Sequence, residues 1–250
     1  MKIYETPVYD LDELARYNLH IHTAFSRCAR ADMLIDAIAA QAVADGIEMI
    51  ALTDHYNFPE YDECYLTLMR YLKRQAEKIE RKPKILFGAE LSNYGVGKQL
   101  ESAETAAALD YRLYTCNHFQ MGFWEHPAER TPRGYAVFQI ESIRLLMEAE
   151  RADCIAHPFM GKFVRTLEAA DVTAAITDNE LGELSELGRK THTAWEINTG
   201  AVESDPVFYR RLWHIGKEAG TFFHFGTDAH SLEAIDTRSR VEQMKTILLG

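Results

Sequence analysis

Seven short apolar runs recur along the chain, each five to seven residues long and each separated from the next by a polar or helically patterned segment. They cover residues 17–22, 47–53, 84–90, 111–117, 153–157, 194–198 and 221–227. Runs this short and this apolar read as buried strands. Between them the spacing changes to that of helices. Asp32 is placed to cap a helix carrying Leu34, Ile35 and Ile38, which stops at Gly46. Tyr65, Leu68, Leu72, Ala76 and Ile79 share a second helical face that ends before Pro83. Asp205 and Pro206 open a third helix running towards Gly220. Strands alternating with helices predict a parallel sheet. Seven such units without a linker predict one α/β domain over residues 1–250, closed or nearly closed into a barrel, with an open doubly wound sheet as the rival.

Composition narrows the partners. Of the 250 residues, 47% are hydrophobic and 26% charged, ordinary globular values, and the net charge is −11 with histidine neutral. Such a surface repels nucleic acid and acidic lipid, so neither is expected as a partner. It still admits a small phosphorylated substrate, because bound cations can invert the local field. The acidic N-terminus has no apolar core of a signal peptide, and no run reaches the ~18 apolar residues of a membrane span. Cys28, Cys64, Cys116 and Cys154 form no CxxC pair and are expected reduced, in a cytoplasmic protein.

The polar residues at the ends of the runs carry the chemistry. His20 and His22 close the first run, Asp54 and His55 follow the second, and Glu90 ends the third. His118 follows the fourth, His157 ends the fifth, and Asp228 and His230 follow the seventh. Functional groups collect at the C-terminal ends of parallel strands, so these residues should converge on one rim. A single HxH, or a single histidine at a strand end, is usually an ordinary core residue. Eight candidate ligands at six strand ends are not. Imidazole and carboxylate together bind Zn, Mn or Fe, and six histidines with two carboxylates exceed what one ion uses, so two or three divalent ions are expected. Glu90, with two oxygens, is the candidate bridge. Of the other histidines, His214 reads as structural on a helix, His224 as a barrel-interior residue, and His126 and His192 as loop residues.

Taken in order, these segments resemble the PHP (polymerase and histidinol phosphatase) superfamily. Asn18-Leu-His-Ile-His-Thr-Ala-Phe-Ser26 is similar to its first motif and Leu52-Thr-Asp-His55 to its second. Gly88-Ala-Glu90, Asn117-His118, Ala156-His157-Pro158 and Thr227-Asp-Ala-His230 are similar to the later ones. The resemblance implies a distorted (βα)7 TIM-like barrel and phosphate-ester hydrolysis by a metal-bound hydroxide. It implies one ion held by His20, His22, Glu90 and Asp228, a second by Glu90, His118 and His157, and a third by His55 and His230. At the remaining ligand position the chain departs from the pattern. The family has a His six residues after the second His of HxH, or an Asp five residues after it; here these are Cys28 and Arg27. Cys28 as a thiolate would make the third site selective for Zn; the alternatives are a weak, often empty third site, and an ordinary buried thiol with Arg27 reaching in to bind phosphate.

Two ions side by side can clamp a phosphoryl group and lower the pKa of a bound water. Asp54 is expected to orient a ligand imidazole or to accept a proton. Arg27, Arg30, Lys162, Arg165 and Asn198 are candidates to hold substrate, with solvated charge or a structural Asn as the competing readings. Histidinol phosphate, a nucleotide, a sugar phosphate and a small phosphodiester all remain open. Two rivals compete: an amidohydrolase-type metallohydrolase, whose bridging Lys has no strand-end counterpart here, and a regulatory module that binds metal without turnover.

Overall fold

The structure, a computed structural model, describes residues 2–250. Each of the seven apolar runs forms a strand: β1 (Tyr17–Ile21), β2 (Met49–Leu52), β3 (Lys84–Gly95), β4 (Tyr111–Thr115), β5 (Cys154–Ile155), β6 (Ala194–Asn198) and β7 (Phe222–Gly226). Consecutive strands pair in parallel, and their spatial order is their chain order. The ends meet through one parallel bridge between Ile21 and Ala229. There the His22 amide donates to the Ala229 carbonyl at 2.9 Å, and the Ala229 amide to that of His20 at 3.1 Å. A bridge rather than a full ladder leaves the barrel nearly closed. The open doubly wound sheet is ruled out, because it requires a reversal of strand order that this path lacks.

Ten α-helices, among the described residues, surround the strands. The Pro206–Ala219 helix follows its sequence signals: the Asp205 carboxylate accepts from the Phe208 amide at 3.1 Å, and Gly220, at φ 75°, ends it in the left-handed region. The Ile35–Ala44 helix does not start as expected. Leu34 occupies the cap with no side-chain bond, and the Asp32 carboxylate faces Arg30 at 3.6 Å instead. The Asp62–Ala76 helix buries Tyr65, Met69, Leu72 and Ala76, and Ile79 lies beyond its end. Among the described residues no helix is long and apolar enough to cross a membrane.

The strands divide the core into two layers. Outward side chains, Ile50, Leu52, Phe87, Ala89, Tyr114 and Trp195 among them, pack under the helices. Inward ones, including Leu19, Ala51, Leu86, Leu113, Cys154 and Ala194, plug the lower barrel. Alternation then carries polar residues inward above the plug: Leu86 is followed two and four positions on by Gly88 and Glu90, and Ala194 by Glu196. Glu90 is not at a strand end, as the sequence suggested. β3 runs on to Gly95, its upper half pairing with His55–Tyr56 and Lys98–Gln99.

Candidate metal centre

Strict alternation would send Leu19 and His20 to opposite faces, yet Leu19 joins the interior plug and His20 stands above it. A bulge resolves this. Between Asn18 and Ile21, β1 spends three steps where β2 spends two, from Ile50 to Leu52. The extra residue re-aims the chain, so Leu19, His20 and His22 all face inward. Ala156 and His157 show a second change of parity, where His157 takes φ 27°. Asp228 also lies in the left-handed region, at φ 53°. A non-glycine residue held there costs of order 1–3 kcal/mol, and such strain clusters at functional sites.

The eight predicted ligands converge. Glu90, fully buried, is ringed by five imidazole nitrogens: His55 Nδ1 at 2.6 Å, His157 Nε2 at 3.1 Å, His118 Nε2 at 3.5 Å, His22 Nε2 at 3.6 Å and His20 Nε2 at 3.7 Å. Asp228 Oδ1 lies 3.0 Å from His22 Nε2 and 3.3 Å from His20 Nε2, and those two nitrogens are 3.2 Å apart. His55 and His230 group with His22. Cys28 Sγ sits 3.0 Å from His230 Nε2. Glu90 Oε2 and His55 Nδ1 are buried without a hydrogen-bond partner. Lone pairs crowded this closely repel unless a cation lies among them, so these residues fit divalent metal ions, as two or three overlapping sets of donors.

The surroundings fix which nitrogen each histidine offers. His20 Nδ1 donates to Glu196 Oε1 at 2.8 Å, leaving Nε2 as the lone-pair nitrogen facing the centre. Ser26 donates to Asp54 Oδ1 at 2.6 Å and therefore accepts from His22 Nδ1, at 3.1 Å. His230 Nδ1 donates to the Asp228 carbonyl at 2.7 Å. In these three Nδ1 is thus pinned and Nε2 presented, whereas His55 turns Nδ1 towards Glu90. Charge follows position. Burial holds His22 down to about 4 and His118 to about 3, both neutral and ready to ligate. Burial also opposes charge on His20 and His55, but Glu196 and Asp228 outweigh it at His20 and raise its pKa, and Glu90 raises His55 to about 10. Glu90 is held well below the usual carboxylate range despite its burial, by His55 and His118.

Asp54 does not touch an imidazole. Its oxygens accept from the Thr23 amide at 2.8 Å, the Thr23 hydroxyl at 2.7 Å and Ser26, which makes it the anchor of the turn after β1. Glu196 was missed in the sequence. It is buried, holds His20, and accepts from the His157 amide at 2.5 Å. Its signal was available: one carboxylate within an apolar strand must be paired to be buried.

The substrate candidates fare unevenly. Asn198, expected at the substrate, is committed to the fold: Oδ1 accepts from the Ala201 amide at 3.0 Å, and Nδ2 donates to Glu196 at 3.3 Å. Arg30 is exposed and flanked by Asp32 and Glu233 at 3.6 and 3.7 Å. Arg27 and Arg165 are exposed in the loops after β1 and β5. The Lys162 ammonium lies 4.9 Å over the Phe163 ring, beside His118. His224 is a barrel-interior residue, bonded to the Tyr111 hydroxyl at 2.9 Å.

Three comparisons bear on this arrangement. In sequence, the chain is 26% identical over 223 residues to the DNA polymerase/3'-5' exonuclease PolX of Bacillus subtilis (strain 168); the match covers 88% of this chain but 35% of that protein, so the chain spans about a third of the relative's length. In structure it is similar to the histidinol phosphate phosphatase of Lactococcus lactis subsp. lactis Il1403, solved with Zn, L-histidinol and phosphate: TM-score 0.59, 18% identity, 91% of this chain and 92% of that one. The putative histidinol phosphatase of Listeria monocytogenes matches with TM-score 0.59, 12% identity, 88% of this chain and 97% of that one. At these identities the two structures speak for the barrel. The profile of the PHP domain matches residues 18–199, which takes in six of the eight ligands; Asp228 and His230 lie beyond that stretch and reach the site from the loop after the closing strand. With well over half of its length matched, the chain belongs to the PHP domain family.

Proposed function

We propose that this protein is a metal-dependent phosphoesterase that hydrolyses a small phosphorylated substrate at a centre of two or three divalent ions. The observation that carries it is Glu90, a buried carboxylate within 3.7 Å of five imidazole nitrogens. His20, His22, Asp228 and one Glu90 oxygen form one set of donors. The other Glu90 oxygen, His118 and His157 form a second, and His55, His230 and Cys28 a third. Bound there, divalent ions supply neutralisation of phosphoryl charge and a water of near-neutral pKa. The chain's own groups do the positioning. Glu196 aims His20, Ser26 relays Asp54 to His22, and the Asp228 carbonyl aims His230. Asp54, with its oxygens engaged by Thr23 and Ser26, orients the turn that carries Ser26. Zn is the metal favoured by the histidine-rich set and by the Lactococcus phosphatase solved with it. Histidinol phosphate is the first substrate to try on the same likeness.

With Glu90 as the bridge, between His55 on one oxygen and His157 on the other, the site differs from the amidohydrolase type, which gives that position to a modified Lys. The test is direct. Strip the protein with a chelator, then assay a generic aryl phosphate, a panel of phosphorylated metabolites and a panel of amides, with Zn or Mn restored. Activity on phosphate esters that vanishes on stripping and returns with metal is expected. Full activity in the stripped protein, or turnover of amides alone, refutes the reading.

A further inference from the structure

The metal centre is unevenly covered: His20, His22, Glu90 and His157 are buried, while His55, Asp228 and His230 keep 23%, 29% and 31% of their side chains exposed. Towards His118 it is walled by Trp124, ring centroids 5.7 Å apart, and by Phe163, edge-on at 5.1 Å. Towards His55 the surface falls into a cavity of about 750 Å³, within the range that encloses a drug-sized ligand. His55 belongs both to the ligand cluster and to the cavity wall. The floor is one face of the Asp62–Ala76 helix, on which Cys64, Leu68 and Tyr71 recur at helical spacing.

Two aromatic side chains stand at its lip. Phe25 is 57% exposed and Tyr71 43% exposed, and their rings meet edge to face, centroids 6.0 Å apart at 76°. Large apolar side chains left in water side by side, at the mouth of a cavity, mark a surface meant to be covered. Phe25 is also held in place. It lies three residues after His22, in the turn that Asp54 anchors through Thr23 and Ser26, and its amide donates to the Thr23 hydroxyl at 3.3 Å. The aromatic wall is therefore mounted on the element that positions a metal ligand.

We propose that this cavity receives the leaving group of the phosphate ester, and that it selects esters whose leaving group carries an aromatic or heteroaromatic ring, packed on the wall of Phe25 and Tyr71. A phosphoryl group held beside His55 lies at the mouth of this cavity, and Trp124 and Phe163 turn its substituent away from the His118 side. The proposal rests on the phosphoesterase reading above.

The experiment compares 1-naphthyl phosphate with glycerol 1-phosphate on metal-loaded wild type, Tyr71→Ala and Tyr71→Phe. The measured quantity is the ratio of the two kcat/KM values, whose change between variants cancels the intrinsic difference in leaving-group ability. Tyr71→Ala is expected to lower the ratio about tenfold, chiefly through KM for the naphthyl ester, as loss of one aromatic contact does. Tyr71→Phe keeps the ring and should keep the ratio. An unchanged ratio in Tyr71→Ala overturns the proposal. Calorimetric binding of 1-naphthylphosphonate and methylphosphonate to the same metal-loaded proteins separates it from the parent reading. If neither ester is turned over, the phosphoesterase reading fails. A preference for the naphthyl ligand that Tyr71→Ala abolishes then still supports the cavity's role, and equal binding of the two ligands by wild type overturns it.

Discussion

Replacing Glu90 with Gln keeps the side chain's shape and removes its charge at the point where the donor sets meet. A carboxylate spreads one charge over two oxygens, so a divalent ion ~2.2 Å from one oxygen and ~4 Å from the other is attracted by about 12 kcal/mol at an effective dielectric of about 20. Two divalent ions ~4 Å apart repel by about 17 kcal/mol in the same medium. With the shared anion present, about 23 kcal/mol of attraction over the two ions outweighs that repulsion; without it, the repulsion is no longer offset by a shared charge. The donor sets then differ in what they retain. His20, His22 and Asp228 still offer three donors, one of them charged, within 3.3 Å of one another. His118 and His157 are left as two imidazoles. Glu90→Gln should therefore lose at least one ion per chain, from the His118 and His157 set, and at least about 10² in kcat, since an ion should be worth no less than a single oxyanion donor. Metal counted by mass spectrometry after equilibrium dialysis, with steady-state kinetics on the same sample, checks both. A variant with wild-type metal content and rate would show that Glu90 bridges nothing.

Cys28 and His55 give two further tests. With its Sγ 3.0 Å from His230 Nε2, Cys28 should ligate the third ion: in Zn, Cys28→Ala should lose one ion per chain and Cys28→His should keep it, and Co(II) loading should give a thiolate charge-transfer band in wild type alone. Equal metal counts in all three proteins, with no such band, rule the thiol out. In the metal-free protein, burial opposes charge on His55 but Glu90 raises its pKa from 6.5 to about 10. Its bound proton thus contributes stability that is complete below pH 6.5 and lost as pH rises through about 10. The melting temperature of the stripped protein should accordingly fall between those values, whereas metal, which needs the neutral ring, should remove that fall; a flat profile in the stripped protein contradicts the assignment.

The barrel and its ligands were legible because both are one-dimensional patterns. A buried parallel strand is a continuous apolar run, and a ligand at its C-terminal end is the polar residue that stops it, so His55, His118 and His157 could be placed by counting. What escaped depended on a break in the count or on contacts across the chain. The β1 bulge is invisible to a reading that assumes unbroken alternation, although it is what lets His20 and His22 face the centre above Leu19. Asp32 has the right chemistry for a cap, but its neighbour Arg30 competes for the carboxylate. Asn198 stands at a strand end like the ligands, yet the start of the next helix claims its side chain.

Glu196 sharpens the point. Read as an interruption of an apolar strand it looks like noise; read energetically it is the least tolerable residue in that strand, because a carboxylate buried without partners costs several kcal/mol. The partners are His20 Nδ1 and the His157 amide, one from each of two donor sets that meet at Glu90. A single buried anion behind the ligands thus orients both sets, and the space it needs is kept by Gly226, where an added Cβ would lie 2.1 Å from Glu196 Oε1 and 2.8 Å from His20 Cβ. The glycine, the second carboxylate and the histidines therefore form one packed unit, and the ligands' geometry is set as much from behind as by the ions in front.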